Sequence, residues 1–339
     1  MARVQPLSGI ACAAKKQKGA ALITVLFVMM IVMVLAVNMS GRLQLQIQRQ
    51  SNQVQQQQAF WYAMGAEAFA RVLLSRTLAG EETVHLGQDW AQQGASFPVD
   101  NGTIAGDISD LQACFNLNAL QQAGEQTSGN QQQSVAQRSF QRLLELAVPE
   151  LSMPPDYLTA RIADWLDEDS LLQHPGSAEQ DDYASLLFPY YSANTLMASL
   201  SELRVIYQLT VADFQLLVPY VCVIPEQDKL QLNVNTLDEQ TAVLLAALIP
   251  ELTADAAADI VASRPEQGFA NLEEFFASSS LVDITITDDV KSLLTVKSSY
   301  FKLQATGAYL DAGFVLTSIF KREEDNRIRV LARRFGGQG

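Results

Sequence analysis

The side chains with the most chemical potential in this chain are carboxylates. They are densest at Asp164, Asp167, Glu168 and Asp169, and again at Glu179, Asp181 and Asp182, with Pro175-Gly176 between the two groups. Acidic runs joined by a turn can converge on a hard cation, which prefers oxygen ligands. The spacing is not that of an EF-hand: counted from Asp167, positions five and six fall on Leu171 and Leu172, where such a loop needs a ligand and a glycine. On the residues alone, a solvated acidic loop is the simpler reading. Sulfur chemistry rests with Cys12, Cys114 and Cys222.

Other constellations are weak. His85 and His174 stand too far apart in sequence for a His-rich metal site or a His-based catalytic network, and read as loop surface residues. Ser299-x-x-Lys302 has the S-x-x-K spacing of penicillin-recognising enzymes, but it lies in an alternating strand without the companion motifs. No feature demands an enzyme. Twenty-three Lys and Arg against 37 Asp and Glu give a net charge of −14. The first 19 residues hold four bases and no acid, so 19 bases face 37 acids from residue 20 onward, a charge of −18. Such a body repels phosphate backbones, which excludes nucleic acid as a partner. A segment around Ile249-Pro250-Glu251-Leu252 has the pattern of a helix-hairpin-helix, yet a Glu stands where a phosphate would sit, so it reads as a protein-packing unit.

The elements that must carry these residues begin with the N-terminus. Lys15, Lys16, Lys18 and Gly19 precede an uncharged run from Ala20 to Val37 in which Thr24 is the single polar residue. At 1.5 Å per residue that run measures roughly 27 Å, close to the ~30 Å hydrocarbon core of a bilayer. Basic residues before it place 1–19 in the cytoplasm and the rest across the membrane. Three readings compete: a secretory signal cut near Val34-Leu35-Ala36, an uncleaved anchor, and a basic leader cut after Gly19 that leaves the apolar helix on the mature chain. Proline is absent from Ala20 to Met64, and the helix continues through a Gln-rich tract. Its apolar face, Phe60, Ala63, Ala66, Phe69, Ala70, Leu73 and Leu74, is expected to pack on the chain's own sheet.

Beyond the helix, residues 80–118 read as loop and short strands turning at Asn101-Gly102. Residues 119–293 carry helical periodicity, including 139–151, 157–172, 195–207, 211–221, 239–249 and 254–263, with Ser201, Thr236 and Thr253 as capping candidates. Strands return at 299–310, 313–323 and 327–335, with turns expected at Asp311-Ala312-Gly313 and Asp325-Asn326. The fold class is α+β. Residues 1–19 form a leader, 20–41 the transmembrane part of the helix, 42–118 the rest of the helix and the first strands, 119–296 an inserted all-helical domain, and 297–339 the closing strands of a small antiparallel sheet.

Several segments resemble the K-type minor pseudopilin family of type II secretion. They are Lys18-Gly19-Ala20-Ala21-Leu22-Ile23-Thr24-Val25, Gly106-Asp107-Ile108-Ser109-Asp110 leading into Phe115-Asn116-Leu117-Asn118, Ala163-Asp164-Trp165-Leu166-Asp167, Ser201-Glu202-Leu203, Asn233-Val234-Asn235-Thr236 and Ser298-Ser299-Tyr300-Phe301. They span nearly the whole chain. The resemblance implies a pilin-like fold and cleavage between Gly19 and Ala20 by a prepilin peptidase, with methylation of the new amine. It also implies a single-pass inner-membrane protein with a periplasmic head, and I- and J-type minor pseudopilins as partners. Pilins commonly carry Glu at the fifth mature position; here Thr24 stands there, as is characteristic of the K-type subunit, and suits a filament tip, where the neighbour that would pair with a carboxylate is missing. The implied function is to initiate the pseudopilus and aid export of folded proteins. The competing readings are a minor pilin of a type IV pilus and a membrane-anchored periplasmic hydrolase. Cys12 would leave with the leader, and an oxidising periplasm permits a Cys114–Cys222 disulfide; two buried free thiols are the alternative. The family's calcium binding in its inserted domain turns the acidic runs into a candidate site, with Asp167, Asp169, Glu179 and Asp182 as ligands.

Overall fold

The structure, a computed structural model, describes residues 20–121, 126–127, 130–131, 133–172 and 174–336. The chain divides into two units, residues 1–55 and 56–339. Within the first, helix α1 (Ala20–Thr77) begins at Ala20, and its 18-residue apolar stretch has a mean hydropathy of 3.0 with no residue buried, long and apolar enough to cross a membrane. Its polar side chains turn back on their own helix: Thr24 Oγ1 donates to the Ala21 carbonyl at 2.9 Å and Asn38 Nδ2 to Val34 at 2.8 Å. Backbone acceptors thus satisfy groups that hydrocarbon would not.

In the second unit the later turns of α1 pack on a five-stranded antiparallel sheet. Its strands are β1 (Ser96–Val99), β2 (Gly102–Asp110), β9 (Tyr300–Tyr309), β10 (Ala312–Arg322) and β11 (Ile328–Phe335), in that spatial order. The helix face is narrower than expected: Ala59, Ala63, Ala66, Ala70 and Leu74 are buried, whereas Phe69 is exposed and leans edge-on against Phe97 at 5.5 Å. Backbone proximity sets one end of this face. A Cβ on Gly307 would lie 2.2 Å from the Ala59 carbonyl oxygen and 2.6 Å from the Ala63 nitrogen, so only small residues fit there. The aromatic residues move to its flanks. One carboxylate lies in this interface: buried Glu67 receives Arg333 Nε and Nη2 at 2.6 and 2.8 Å and Ser318 Oγ at 2.7 Å. Burial alone would raise its pKa, but these hydrogen bonds hold it below the ordinary value. The β9–β10 turn is Leu310-Asp311, with Leu310 at φ 49°, and Gly313 lies inside β10 opposite Ala308; the turn starts one residue earlier and is one residue shorter than Asp311-Ala312-Gly313. Asn326, φ 63°, makes the last turn.

Between β2 and β9 the chain leaves the sheet and returns. It does so in two closed excursions. Short strands β3 (Phe115–Asn116) and β6 (Val221–Cys222) pair in parallel at the ends of a first lobe, residues 115–222. A second parallel pair, β7 (Leu232–Asn233) with β8 (Leu294–Thr295), closes a second lobe, residues 232–295. A two-stranded ladder, β4 (Gln126–Thr127) with β5 (Asn130–Gln131), lies early in the first lobe. After it come α2 (Val135–Ala147), α3 (Pro155–Leu166), α4 (Gln180–Ala184) and α5 (Val211–Leu217). The second lobe holds α6 (Val243–Leu248), α7 (Ala254–Ala262), α8 (Leu272–Phe276) and α9 (Asp288–Ser292). One apolar core, with Phe115, Phe140, Leu166, Tyr183, Leu245 and Phe275, runs through both lobes.

Two helix signals in the sequence resolve differently. The periodic stretch 195–207 yields only a 3-10 turn, Leu200–Val205, capped by Ser199 rather than Ser201. Thr236 caps nothing; it is buried and hydrogen-bonds Asp110. Thr253 does cap α7, accepting from Ala256 N–H at 3.2 Å.

Candidate functional site

Residues at the end of α3 and the start of α4 build the acidic centre. Asp164 and Asp167 are three apart, which puts both on one side of the last turn of α3, and Glu179 is the N-cap of α4. Arg161 draws the intervening loop in, donating to the Gly176 and Tyr207 carbonyls, both at 2.9 Å. Gly176, φ 86°, sits where a Cβ would strike the Tyr157 ring at 2.4 Å. Carboxylate oxygens of Asp164, Asp167 and Glu179 consequently lie within 4.8 Å of one another.

This centre is electrostatically unfavourable as it stands. Asp164 is 1% exposed and Glu179 4%, and Asp164 Oδ2 and Glu179 Oε1 have no hydrogen-bond partner. Burial first, then repulsion among Asp164, Asp167, Asp169 and Glu179, pushes Asp164 and Asp167 up to about 7 and raises Glu179. The negative end of the α3 dipole adds to the cost. Hard oxygen donors, buried and like-charged, are the donor set that suits a calcium-sized cation.

The predicted ligand set is changed by this geometry. Asp167 and Glu179 converge. Asp182 instead turns Oδ2 to the Glu179 N–H at 3.0 Å as part of a capping box, and Asp169 accepts from Leu171 N–H at 2.8 Å. Asp164, outside the predicted set, completes the group; its i, i+3 relation to Asp167 on a helix is the signal that would have found it.

Each stem of the lobes carries a second kind of chemistry. At the first, Cys114 and Cys222 are joined by a disulfide with Cα atoms 5.8 Å apart, 108 residues apart in sequence. Asn116 and Asn118 reinforce it: Asn116 Nδ2 donates to the Gln227 carbonyl at 2.9 Å, and Asn118 Nδ2 to Met197 and Ile224 at 3.0 and 3.1 Å. The second stem has no sulfur. There, Asp110, the last residue of β2, is fully buried and accepts from Ser298 Oγ at 2.5 Å, Thr236 Oγ1 at 2.6 Å, Gln112 N–H at 2.8 Å and Asn233 Nδ2 at 3.4 Å. Burial raises its pKa against the pull of those donors. Asn233 also reaches the Val84 carbonyl at 3.0 Å, tying the stem to the loop after α1.

The remaining candidates carry structure. Arg142 of α2 donates to the Ala246 and Leu252 carbonyls at 2.8 and 3.2 Å, so the hairpin at Ile249–Leu252 packs on protein. Ser299 and Lys302 lie at the start of β9, where Gln112 Oε1 accepts from the Ser299 N–H at 2.7 Å. His85 is half-buried and its imidazole is held below the usual value by burial; His174 opens the Pro175-Gly176 loop. Ala20 is the first described residue, whereas Gly19, Cys12, Lys15, Lys16 and Lys18 lie outside the described residues.

Comparison with known proteins gives one answer. The family description "Type II secretion system (T2SS), protein K" matches residues 113–226 and again 232–297, the two lobes within a few residues. Type II secretion system protein K of Aeromonas hydrophila is 36% identical over 332 residues, covering 95% of this chain and 98% of that protein. The Klebsiella pneumoniae protein of the same name is 36% identical over 323 residues, covering 95% and 97%. Among solved structures, a chain of the GspK-GspI-GspJ complex from enterotoxigenic Escherichia coli superposes with a TM-score of 0.75 at 31% identity, covering 86% of this chain and all of that one.

Proposed function

The chain belongs to the type II secretion system protein K family, the minor pseudopilins, and on that footing we propose that it occupies the tip of the pseudopilus, where it initiates assembly and aids export of folded proteins. The observation that carries the tip assignment is Thr24. Its hydroxyl is satisfied within its own helix, so this subunit needs no neighbour's amine to neutralise a carboxylate in the membrane. A subunit with that property can stand first. The similarity to a chain of the GspK-GspI-GspJ complex supports I- and J-type minor pseudopilins as its partners.

The apolar helix serves as a single-pass anchor, with the leader 1–19 on the cytoplasmic side and the head in the periplasm. Prepilin peptidase cuts between Gly19 and Ala20. The role is structural, and the carboxylates are assigned to metal binding, not catalysis. Asp164, Asp167 and Glu179 would hold a calcium ion, which when bound neutralises three like charges and fastens the end of α3 to the start of α4. The orphaned oxygens of Asp164 and Glu179 support this fit.

The test is reconstitution. The full chain, solubilised in detergent, is mixed with the I- and J-type subunits and should co-purify as one complex, its N-terminus beginning at Ala20. Failure to associate with either subunit, or a mature chain that retains Met1 or starts at Val37, overturns the reading.

A further inference from the structure

The loops around the acidic centre bear the chain's oddest surface. Leu171 and Leu172 follow α3, and Leu187, Phe188 and Tyr191 follow α4; all five are between 62 and 88% exposed. The two loops are tied together. Asn194 Nδ2 donates to the Asp169 carbonyl at 2.5 Å and to Ser170 Oγ at 3.4 Å, and Ser192 Oγ reaches Glu179 Oε2 at 3.4 Å. Beneath them Tyr190 packs on Tyr183 at 5.3 Å and on Trp165 at 6.5 Å, so the exposed side chains stand on a fixed aromatic floor. Scattered apolar surface residues are ordinary, but large ones grouped on two braced loops mark an interaction site.

Charge selects the occupant. From Ile162 to Leu203 the sequence has eight acids and not one Lys or Arg. Glu168 and Asp169, just before Leu171, and Asp181 in α4, just before the second loop, are exposed. A second copy of this surface, or an anionic lipid surface, would be repelled. We propose that Leu171, Leu172, Leu187, Phe188 and Tyr191 form an acid-rimmed docking surface for a basic amphipathic segment of a partner protein. The leucines and aromatics bury the partner's apolar face, and the rim pairs with its Lys or Arg.

The experiment uses the full chain in zwitterionic lipid nanodiscs, with empty discs as background. Two labelled synthetic helices share their leucine positions; one carries Lys at the remaining sites and the other Glu. The Lys helix should bind at least about tenfold more tightly. Leu187→Ser with Phe188→Ser should weaken it by about tenfold while the melting temperature holds. Should that variant lose its fold, Glu168→Lys with Asp181→Lys supplies the second measurement and should shift preference toward the Glu helix. Equal affinity for both helices, undiminished binding by the Leu187/Phe188 variant, unchanged preference in the charge-reversed one, or partition into empty discs to the same extent overturns the proposal. A protein without a calcium response that still discriminates the helices through Leu187 and Phe188 refutes the ion and keeps the surface.

Discussion

The two lobes leave and re-enter the sheet through the same device, a two-residue parallel ladder, and they are locked by different chemistry. In the first, a covalent bond joins the ends of a 108-residue stretch. It acts largely by restricting the unfolded chain. In the second, the lock is a buried carboxylate that belongs to neither strand of the ladder. Asp110 contributes only when the lobe is already seated, because its hydroxyl and amide donors gain from a charge only after water is excluded. The lobe with the covalent clasp is also the one that contains the acidic centre. Among the described residues the second lobe has no comparable cluster of buried acids. The difference teaches that a lobe carrying built-in repulsion is held by a lock that survives local opening, whereas a lobe with a quiet core relies on packing and hydrogen bonds.

The largest effect should come from the clasp. Replacing both cysteines, Cys114→Ala with Cys222→Ala, should cost about 4–5 kcal/mol on the chain-entropy account of a loop this long. Thermal unfolding of the full chain in detergent would record it, and proteolysis should nick the first lobe before the second. Simultaneous nicking of both lobes would break the contrast. Next is the second stem. Asp110→Ala strands the buried Ser298 hydroxyl and the Gln112 N–H, while Asn233 and Thr236 keep backbone carbonyl acceptors, and should cost about 3 kcal/mol, with Asp110→Asn recovering part of it. Hydrogen exchange should then quicken at Leu232 and Val234 while the first lobe keeps its protection.

Calcium sharpens the comparison further. At a hundredfold excess over Kd it should add about 2.7 kcal/mol, with EDTA reversing the gain and magnesium substituting poorly. Asp164 and Asp167 have folded pKa values raised from 3.8 to about 7. Their contribution to metal-free stability is therefore fully present below about pH 4 and is lost as the pH rises through about 7. A pH series of melting temperatures in EDTA should fall across that window, and calcium should flatten it. Asp164→Asn with Asp167→Asn should remove most of the slope and the calcium response. A slope that survives those changes would detach the pH effect from the acidic centre. The smallest effect is local to the second lobe: Thr253→Ala removes the α7 cap for about 1 kcal/mol, seen as a modest fall in melting temperature.

Much of this architecture was legible because it is written in local signals. The apolar run after Gly19, the alternating strands at 300–335 and the Cys114/Cys222 pair all announce themselves by composition or spacing. The acidic centre was half legible: the runs stood out, but choosing Asp164 over Asp182 required knowing that α4 begins at Gln180 and uses Asp182 to cap itself. Long-range partners hid the rest. Thr236 carries the pattern of a cap, yet its hydroxyl answers to Asp110, 126 positions away in sequence. Phe69 fits the helical stripe, yet it stands exposed against Phe97, and the close backbone approach that keeps Ala59 and Ala63 small comes from Gly307, on a strand more than two hundred positions later. Periodicity reports which side of a helix is apolar and is silent on how closely a neighbour approaches.

The register of β2 against β9 has a consequence of its own. These strands are adjacent and antiparallel, with Asp110 opposite Phe301, so everything between them is formally the connection of a β-hairpin. Stretching such a connection from four residues to about 190 adds roughly 3 kcal/mol of closure entropy. The two ladders cancel most of that: once each lobe has tied its own ends, only short links remain to be closed. Pairing of β2 with β9 therefore costs little more closure entropy than a short hairpin whenever the lobes have tied their ends. The same arrangement describes how such a protein can arise. A segment whose ends already lie side by side can enter the tip of a hairpin without disturbing a single sheet pairing, and a second can enter beside it.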